Sequence, residues 1–331
     1  MDYDYLFEAY PDEIQARLEA RARFSRNLPA NVGNTSLEFV IETLTRWTPG
    51  QTITVAFKGG NKALHKGIAR VAVEWTRYAN LTFDFGEDAT TGEFRKWSTS
   101  DTEYSANIRI TFDKPGYSSL VGTDSSDPAI VSAGEASMIY GGFAQSLPPD
   151  WEATVLHEFG HALGFQHEHQ HPIGGCDLDF RWEDDPGYVP TVNNLGQFIP
   201  DPSGKRPGIY TVLGGPPNRW PQWKVDHNLR QLGNSHAFMV SAFDPKSIMK
   251  YYFGDWMFRD GTKSHCFSQR NKVLSTMDQA GARAAYPSEQ ADIESARTQK
   301  KQFLEGLIRD EQLEPTAKKP FEIQYESLEE N

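Results

Sequence analysis

His157-Glu158-Phe159-Gly160-His161-Ala162-Leu163-Gly164-Phe165-Gln166-His167-Glu168 is the stretch that decides how the chain is read. Its first five residues form the pattern H-E-x-x-H. Side chains four apart on an α-helix project from nearly the same face, so His157 and His161 are spaced to grip one metal ion together. Glu158 follows the first histidine, where its carboxylate reaches a water on that metal without becoming a ligand, the position of a general base. Gly164 comes three residues after His161, and glycine ends a helix in a left-handed conformation without a Cβ penalty. A turn there swings His167 back toward the same metal. Three imidazoles and one open position make the ligand set of a catalytic zinc, whereas a structural zinc is closed by four protein ligands.

H-E-x-x-H-x-x-G-x-x-H is the zinc signature of the metzincin metallopeptidases, and Gly164-Phe165-Gln166-His167-Glu168 resembles the astacin-type version. A second stretch in the right order supports the resemblance. Ser247-Ile248-Met249-Lys250-Tyr251 is similar to the astacin-type Met-turn, in which a Met lies beneath the zinc site and a Tyr two residues later faces the metal. The tail of the motif departs from the pattern: His169-Gln170-His171-Pro172 stands where astacins usually continue with Arg and Asp, which marks a divergent branch. The resemblance spans about residues 48 to 287.

The resemblance implies an α+β fold of the metzincin type, with a mixed sheet and long helices above a zinc cleft and an irregular lower subdomain. It implies Zn2+ held by His157, His161 and His167, Glu158 as general base, and Tyr251 as a fifth zinc ligand that swings to hydrogen-bond the tetrahedral oxyanion. Tyr252 is adjacent, so this last assignment rests on the Ser-x-Met-x-Tyr register. Glu168 is expected to meet the buried N-terminus of a processed chain. His169 and His171 read as neighbours of the ligands or of the cleft rim. The function implied is zinc-dependent endopeptidase activity on a protein or peptide substrate. Two readings from other classes stand beside it. One is a zinc-binding interaction module that has lost activity, against which the four intact site residues speak. The other is a zinc hydrolase for a non-peptide substrate, against which the metzincin match speaks.

Composition sets the outer bounds. Hydrophobic residues make up 38% of 331, enough for a substantial core, and a net charge of −12 argues against a nucleic-acid surface. No apolar run approaches the ~18 residues of a membrane span, so no membrane insertion is expected. Met1-Asp2-Tyr3-Asp4-Tyr5-Leu6 lacks the basic start and apolar centre of a secretory signal, while the family resemblance leans extracellular, so the compartment stays open, as does the oligomeric state. Two cysteines, Cys176 and Cys266, exclude a disulfide-dense framework and leave either one bridge or two separate thiols. The metzincin topology would place both in the lower subdomain, which implies a bridge in an oxidising environment.

Three segments are expected in chain order. Residues 1–47 form an N-terminal extension with a helix over 11–26, marked by Ile14, Leu18 and Ala22. With no Cys before position 176 an N-terminal cysteine switch is excluded, and Asp2, Asp4 and Asp12 remain candidate blockers of the metal beside the plainer reading of a helix packed on the domain surface. Residues 48–287 form the metzincin-like catalytic domain. Strands are expected over 52–57, 81–85 and 108–112, with Ala136-Ser137-Met138-Ile139-Tyr140 as the edge strand to which a peptide adds. A long amphipathic helix is expected from Leu64 through Tyr78, the zinc helix from about Pro149-Asp150, and a short helix over 220–232. Residues 172–222 read as a long loop whose acidic run Glu183-Asp184-Asp185 is solvated or holds calcium. Ser275 and Asp278 offer a capping box for the last domain helix. Residues 288–331 form a charged C-terminal segment, a solvated helix followed from Glu314 by a loosely held acidic end.

Overall fold

The computed structural model describes residues 10–26, 31–32, 35–36, 44–231, 242–311 and 315–329. They fall into two compact units, one built from 10–166 and 274 onward, the other from 167–231 and 242–273.

The first unit is organised by a five-stranded sheet. Its strands are β1 (Thr52–Lys58), β2 (Thr82–Asp84), β3 (Ile108–Thr111), β4 (Tyr117–Ser119) and β5 (Met138–Tyr140), in the order β2-β1-β3-β5-β4. β1 runs parallel to β2 and β3, and β3 parallel to β5, with Val55 opposite Ile108 and Ile110 opposite Met138. β4 closes one side antiparallel to β5, with Tyr117 opposite Tyr140. The expected edge strand is therefore internal. All three residues of Met138–Tyr140 are buried, as a short continuous apolar run between two partners requires, and the true edge is Tyr117–Ser119. Three residues of mixed polarity behind a glycine are too short to display a strand period.

Helix α2 (Lys62–Ala72) covers the sheet with Leu64, Ile68, Val71 and Ala72, and its N-cap Asn61 accepts the Leu64 N–H at 2.9 Å. It ends before the apolar stripe does. Trp75 lies in a following 3₁₀ turn (Trp75–Arg77), where its buried indole donates to the Leu156 carbonyl at 2.8 Å. Helix α1 (Asp12–Arg26) packs on the same unit as the plainer reading expects: Ile14 is buried with Leu120, Ile130 and Val131, and Arg17 bonds the Glu135 carboxylate at 2.7 Å. Asp2 and Asp4 lie outside the described residues.

After the Ser275 capping box, where Ser275 Oγ accepts the Asp278 N–H and the Asp278 carboxylate accepts the Ser275 N–H, helix α7 (Thr276–Ala285) is followed by α8 (Gln290–Arg309) and α9 (Pro315–Glu329). α8 and α9 pack together through Phe303, Leu304, Leu307 and Leu328, with Leu44 in the same cluster. The acidic end is thus a helix with a buried side rather than a loose tail; Phe321, Tyr325 and Leu328 supply an apolar stripe that the surrounding charges conceal in the sequence. Lys300 of α8 is buried, donates to the Arg46 carbonyl at 2.6 Å, and has its pKa pushed down to about 7 by burial, with the Arg46 charge adding to the effect.

The second unit has little regular structure: helices α4 (Cys176–Asp179), α5 (Ile209–Gly214) and α6 (Gln222–Leu229), and a two-residue ladder of Thr191–Val192 with Phe198–Ile199. Its core is aromatic, with Phe180 stacked on Phe258 at 5.2 Å and edge-on to Phe253 and Trp182. Cys176 and Cys266 form the bridge the family resemblance implies, with Cα atoms 5.5 Å apart. Between residues 183 and 208 aspartates do the work of a ladder. Asp184 accepts the Gly208 N–H, Asp185 the Arg206 N–H, and Asp201 the N–H groups of Val189, Ser203 and Lys205. The acidic run is therefore not merely solvated. At Gly208 a Cβ would come within 2.3 Å of the Glu183 backbone, so only glycine permits this closure.

Candidate metal centre

The helix that carries H-E-x-x-H is α3 (Trp151–Ala162), beginning where the sequence expects it. Val155, Leu156, Phe159 and Ala162 are its buried apolar residues, with Phe159 edge-on to Phe83 at 5.0 Å. The carbonyls at its C-terminus, which lack intrahelical partners, are satisfied from elsewhere in the unit. Trp47 Nε1 donates to Ala162 O at 2.7 Å and the Tyr286 hydroxyl donates to Leu163 O. Gly164 has φ of 96°, its N–H bonds His161 O at 2.7 Å, and the Phe165 N–H bonds Gly160 O at 3.1 Å. That pair of bonds is a Schellman ending, the left-handed glycine stop read from the sequence.

One nitrogen from each of His157, His161 and His167 lies within 4.8 Å of the other two. His157 Nε2 and His161 Nε2 are 3.1 Å apart, close to the roughly 3.3 Å expected of two nitrogens held tetrahedrally at about 2.0–2.1 Å from one zinc ion. His161 Nδ1 lies 2.7 Å from the Phe165 carbonyl. A carbonyl only accepts, so Nδ1 carries the proton and Nε2 keeps its lone pair for a metal. The turn made by Gly164 thus sets the tautomer of His161 as well as ending the helix. By donor type, spacing and tautomer, the cluster is consistent with a zinc site. Glu158, on the same helix, is 2% exposed, and its charge joins burial in raising the pKa of the Tyr117 phenol on β4.

His167 is followed by a 3₁₀ turn, Glu168–Gln170. Glu168 donates its N–H to Met249 O at 3.0 Å, and its carboxylate accepts the Asp244 N–H at 2.7 Å. The expected contact between Glu168 and a processed N-terminus falls on residues outside those described. The Met-turn is closed locally: Ser247 Oγ accepts the Met249 N–H at 3.0 Å, and Asn271 donates to Ser247 O at 2.8 Å. Tyr251 is 9% exposed, with its ring 4.2 Å from that of His167. The Tyr252 ring lies against the Arg270 guanidinium instead. Lys250, between Met249 and Tyr251, is buried and donates to Tyr251 O at 3.1 Å and Ser268 Oγ at 3.0 Å; burial lowers its pKa to about 8 against the opposing charge of Glu168.

His169 is 1% exposed and stacks on Tyr251. His171 accepts the Ile173 N–H and has its ring edge toward Phe243, His65 is a core residue stacked on Phe57, and His265 pairs with Asp179. His236 lies outside the described residues. Reading by motif missed Lys250, Tyr117 and the specific place of His169, because none of the three belongs to a spacing rule. Only the apolar context of Lys250, set between Met and two tyrosines, signals its burial in advance.

No protein-family model matches the chain. The structure is similar to the solved structure of myroilysin, at 30% identity and a TM-score of 0.53, over 74% of this chain and 97% of that one. The sequence is similar to zinc metalloproteinase dpy-31 of Caenorhabditis elegans, 27% identical over 169 residues, and to its namesake in Teladorsagia circumcincta, 26% identical. Each match takes in 50% of this chain, and the chain spans about a quarter of the length of these curated relatives, 24% and 23%. Among the described residues no helix is long and apolar enough to cross a membrane. With the histidine triad, the α+β fold and a relative matched over nearly its whole length in agreement, the chain belongs to the astacin-like and myroilysin-like zinc metalloproteinases of the metzincin group, as a distant member.

Proposed function

We propose that this protein is a zinc-dependent endopeptidase that hydrolyses peptide bonds in protein or peptide substrates, with residues 48–287 carrying the catalysis. The observation that carries the reading is the convergence of His157, His161 and His167, with a buried carboxylate, Glu158, one residue from the first of them. His157, His161 and His167 would hold a zinc ion, which when bound would supply a Lewis acid and lower the pKa of a water toward about 7. Glu158 takes the proton from the attacking water and later hands it to the leaving amine. The Phe165 carbonyl holds the His161 ring in the tautomer that leaves Nε2 as a donor to the metal. The Tyr251 hydroxyl donates to the substrate oxygen as the carbonyl becomes tetrahedral. The substrate backbone adds to β4, whose residues 117 and 119 turn their backbone groups away from β5; the Ser119 carbonyl already accepts the Tyr10 hydroxyl at 3.1 Å.

The test is cleavage of a quenched peptide library by the full chain, with and without a chelator and after zinc is restored. Glu158→Gln keeps shape and metal but lacks the base, and its turnover should fall by at least about a hundredfold. Near-normal turnover in zinc-loaded Glu158→Gln would remove this residue from the mechanism.

A further inference from the structure

His169 is a buried imidazole two residues beyond the third histidine of the cluster, and its surroundings assign it to a neighbour. Its ring lies 4.6 Å from that of Tyr251 at an interplanar angle of 25°, a stacked pair, and Phe253 meets it edge-on at 5.0 Å. His169 Nε2 is 2.9 Å from the Asn228 carbonyl near the end of α6, so this nitrogen carries a proton and donates it. The turn that presents the ring is tied down as well. Gln170 Nε2 donates to the carbonyls of His227 and Arg230 at 2.8 and 3.0 Å, and the Glu168 N–H bonds Met249 O.

We propose that His169 is a positioning residue for Tyr251: it is the platform on which the tyrosine ring rests, pinned to α6 so that the hydroxyl is held at one place. The inference deepens the peptidase reading and rests on the role given there to Tyr251. A leucine would fill the same volume, but it has no planar face for a phenol and no N–H for Asn228 O. The histidine supplies both. Its two interactions run in different directions, one fixing the plane of the ring and the other its rotation. Tyr251 also touches His167 at 4.2 Å, so displacing the platform lets the phenol move along the ring of a candidate ligand. Transition-state contacts are intolerant of such movement.

Two readouts test this on the full chain. The first needs no catalysis: ¹⁹F NMR of protein labelled with 3-fluorotyrosine, the Tyr251 resonance being assigned by its absence in Tyr251→Phe. His169→Ala removes the ring current and should shift that resonance, whereas His169→Phe keeps the stacked face but not the Asn228 bond and should shift it much less. The second is kinetic. His169→Ala should lower kcat on the order of tenfold with KM and zinc content nearly unchanged, and His169→Phe should recover to within about threefold. In the Tyr251→Phe background His169→Ala should cost nothing more, because the group it positions is gone.

A Tyr251 resonance unmoved in His169→Ala, loss of bound zinc in that variant, or losses that simply add in the double variant would each overturn the inference. If the wild-type chain cleaves no peptide in a chelator-sensitive way, the peptidase reading falls while the resonance still decides the place of His169. Should His169→Ala fail to fold, His169→Leu makes the same comparison with the volume retained.

Discussion

The two units of this protein are held together by different means. In the sheet unit, parallel strands such as β1 and β3 are buried on both faces, and α2 and α3 cover them with apolar stripes; side chains such as Ile53, Ile110 and Phe159 are fully buried. In the other unit, backbone ladders give way to one disulfide, an aromatic cluster and aspartates that bond main-chain N–H groups across loops. The difference teaches where each kind of precision comes from. A helix pinned on a sheet is enough to set two histidines at a fixed spacing, because the spacing belongs to the helix itself. Tyr251 sits in irregular chain, and there the position of every polar atom has to be enforced by a particular partner.

Removing the bridge is the sharpest way to break the contrast. Cys176→Ala with Cys266→Ala opens a loop of 90 residues and should cost roughly 4–5 kcal/mol in the chain-entropy account. Hydrogen exchange should then rise across 167–231 and 242–273 while β1 and β3 stay protected. The reciprocal variant is Phe159→Ala, which leaves a cavity against Phe83 and Phe85 and should cost about 3–4 kcal/mol, with exchange rising in the sheet unit. If both variants loosen the same set of amides, the two units do not behave as separate cooperative bodies.

A smaller effect separates packing from chemistry within the irregular unit. Tyr251→Phe should lower kcat on the order of a hundredfold, about 3 kcal/mol, with KM and zinc content unchanged, since in the proposed mechanism the hydroxyl acts only as the carbonyl becomes tetrahedral. Tyr252→Phe, whose ring faces Arg270, should change little. Loss of activity in Tyr252→Phe with retention in Tyr251→Phe would shift the Met-turn register by one.

The smallest effect probes the sheet unit through Lys300. Its folded pKa of about 7 lies below the ordinary 10.5 because burial disfavours the ammonium. The unfolded chain therefore binds more protons between these values, and stability rises with pH across that window; the penalty is full below about 7 and gone above about 10.5. Lys300→Met removes the titration, so its Tm relative to wild type should be more favourable at pH 6 than at pH 9. An equal difference at the two pH values would show that the ammonium keeps its solvation in the folded protein.

What could be read in advance was whatever a local rule governs. The H-E-x-x-H spacing, the glycine stop at 164, the Ser275 capping box and strands β1 to β3 each depend on residues within a turn or two of one another. Which strand is the edge is not legible locally, because being an edge is a statement about partners, and Tyr117-Ser118-Ser119 has nothing in itself to declare that it has only one. The α8–α9 pair is not legible in the sequence because its apolar stripe is sparse among charges and becomes a core only when the second helix lies on the first.

The sequence by itself determined the spacing of the histidines, the left-handed turn after the helix and the family resemblance, because helix geometry, glycine φ and motif order are properties of contiguous chain. Only the tertiary structure decided that His161 has its proton on Nδ1, that Asp184, Asp185 and Asp201 hold loops together, and that His169 lies beneath Tyr251. Each of these depends on an atom brought near by folding, and hydrogen bonds and stacked rings act over only a few ångströms whatever the separation along the chain.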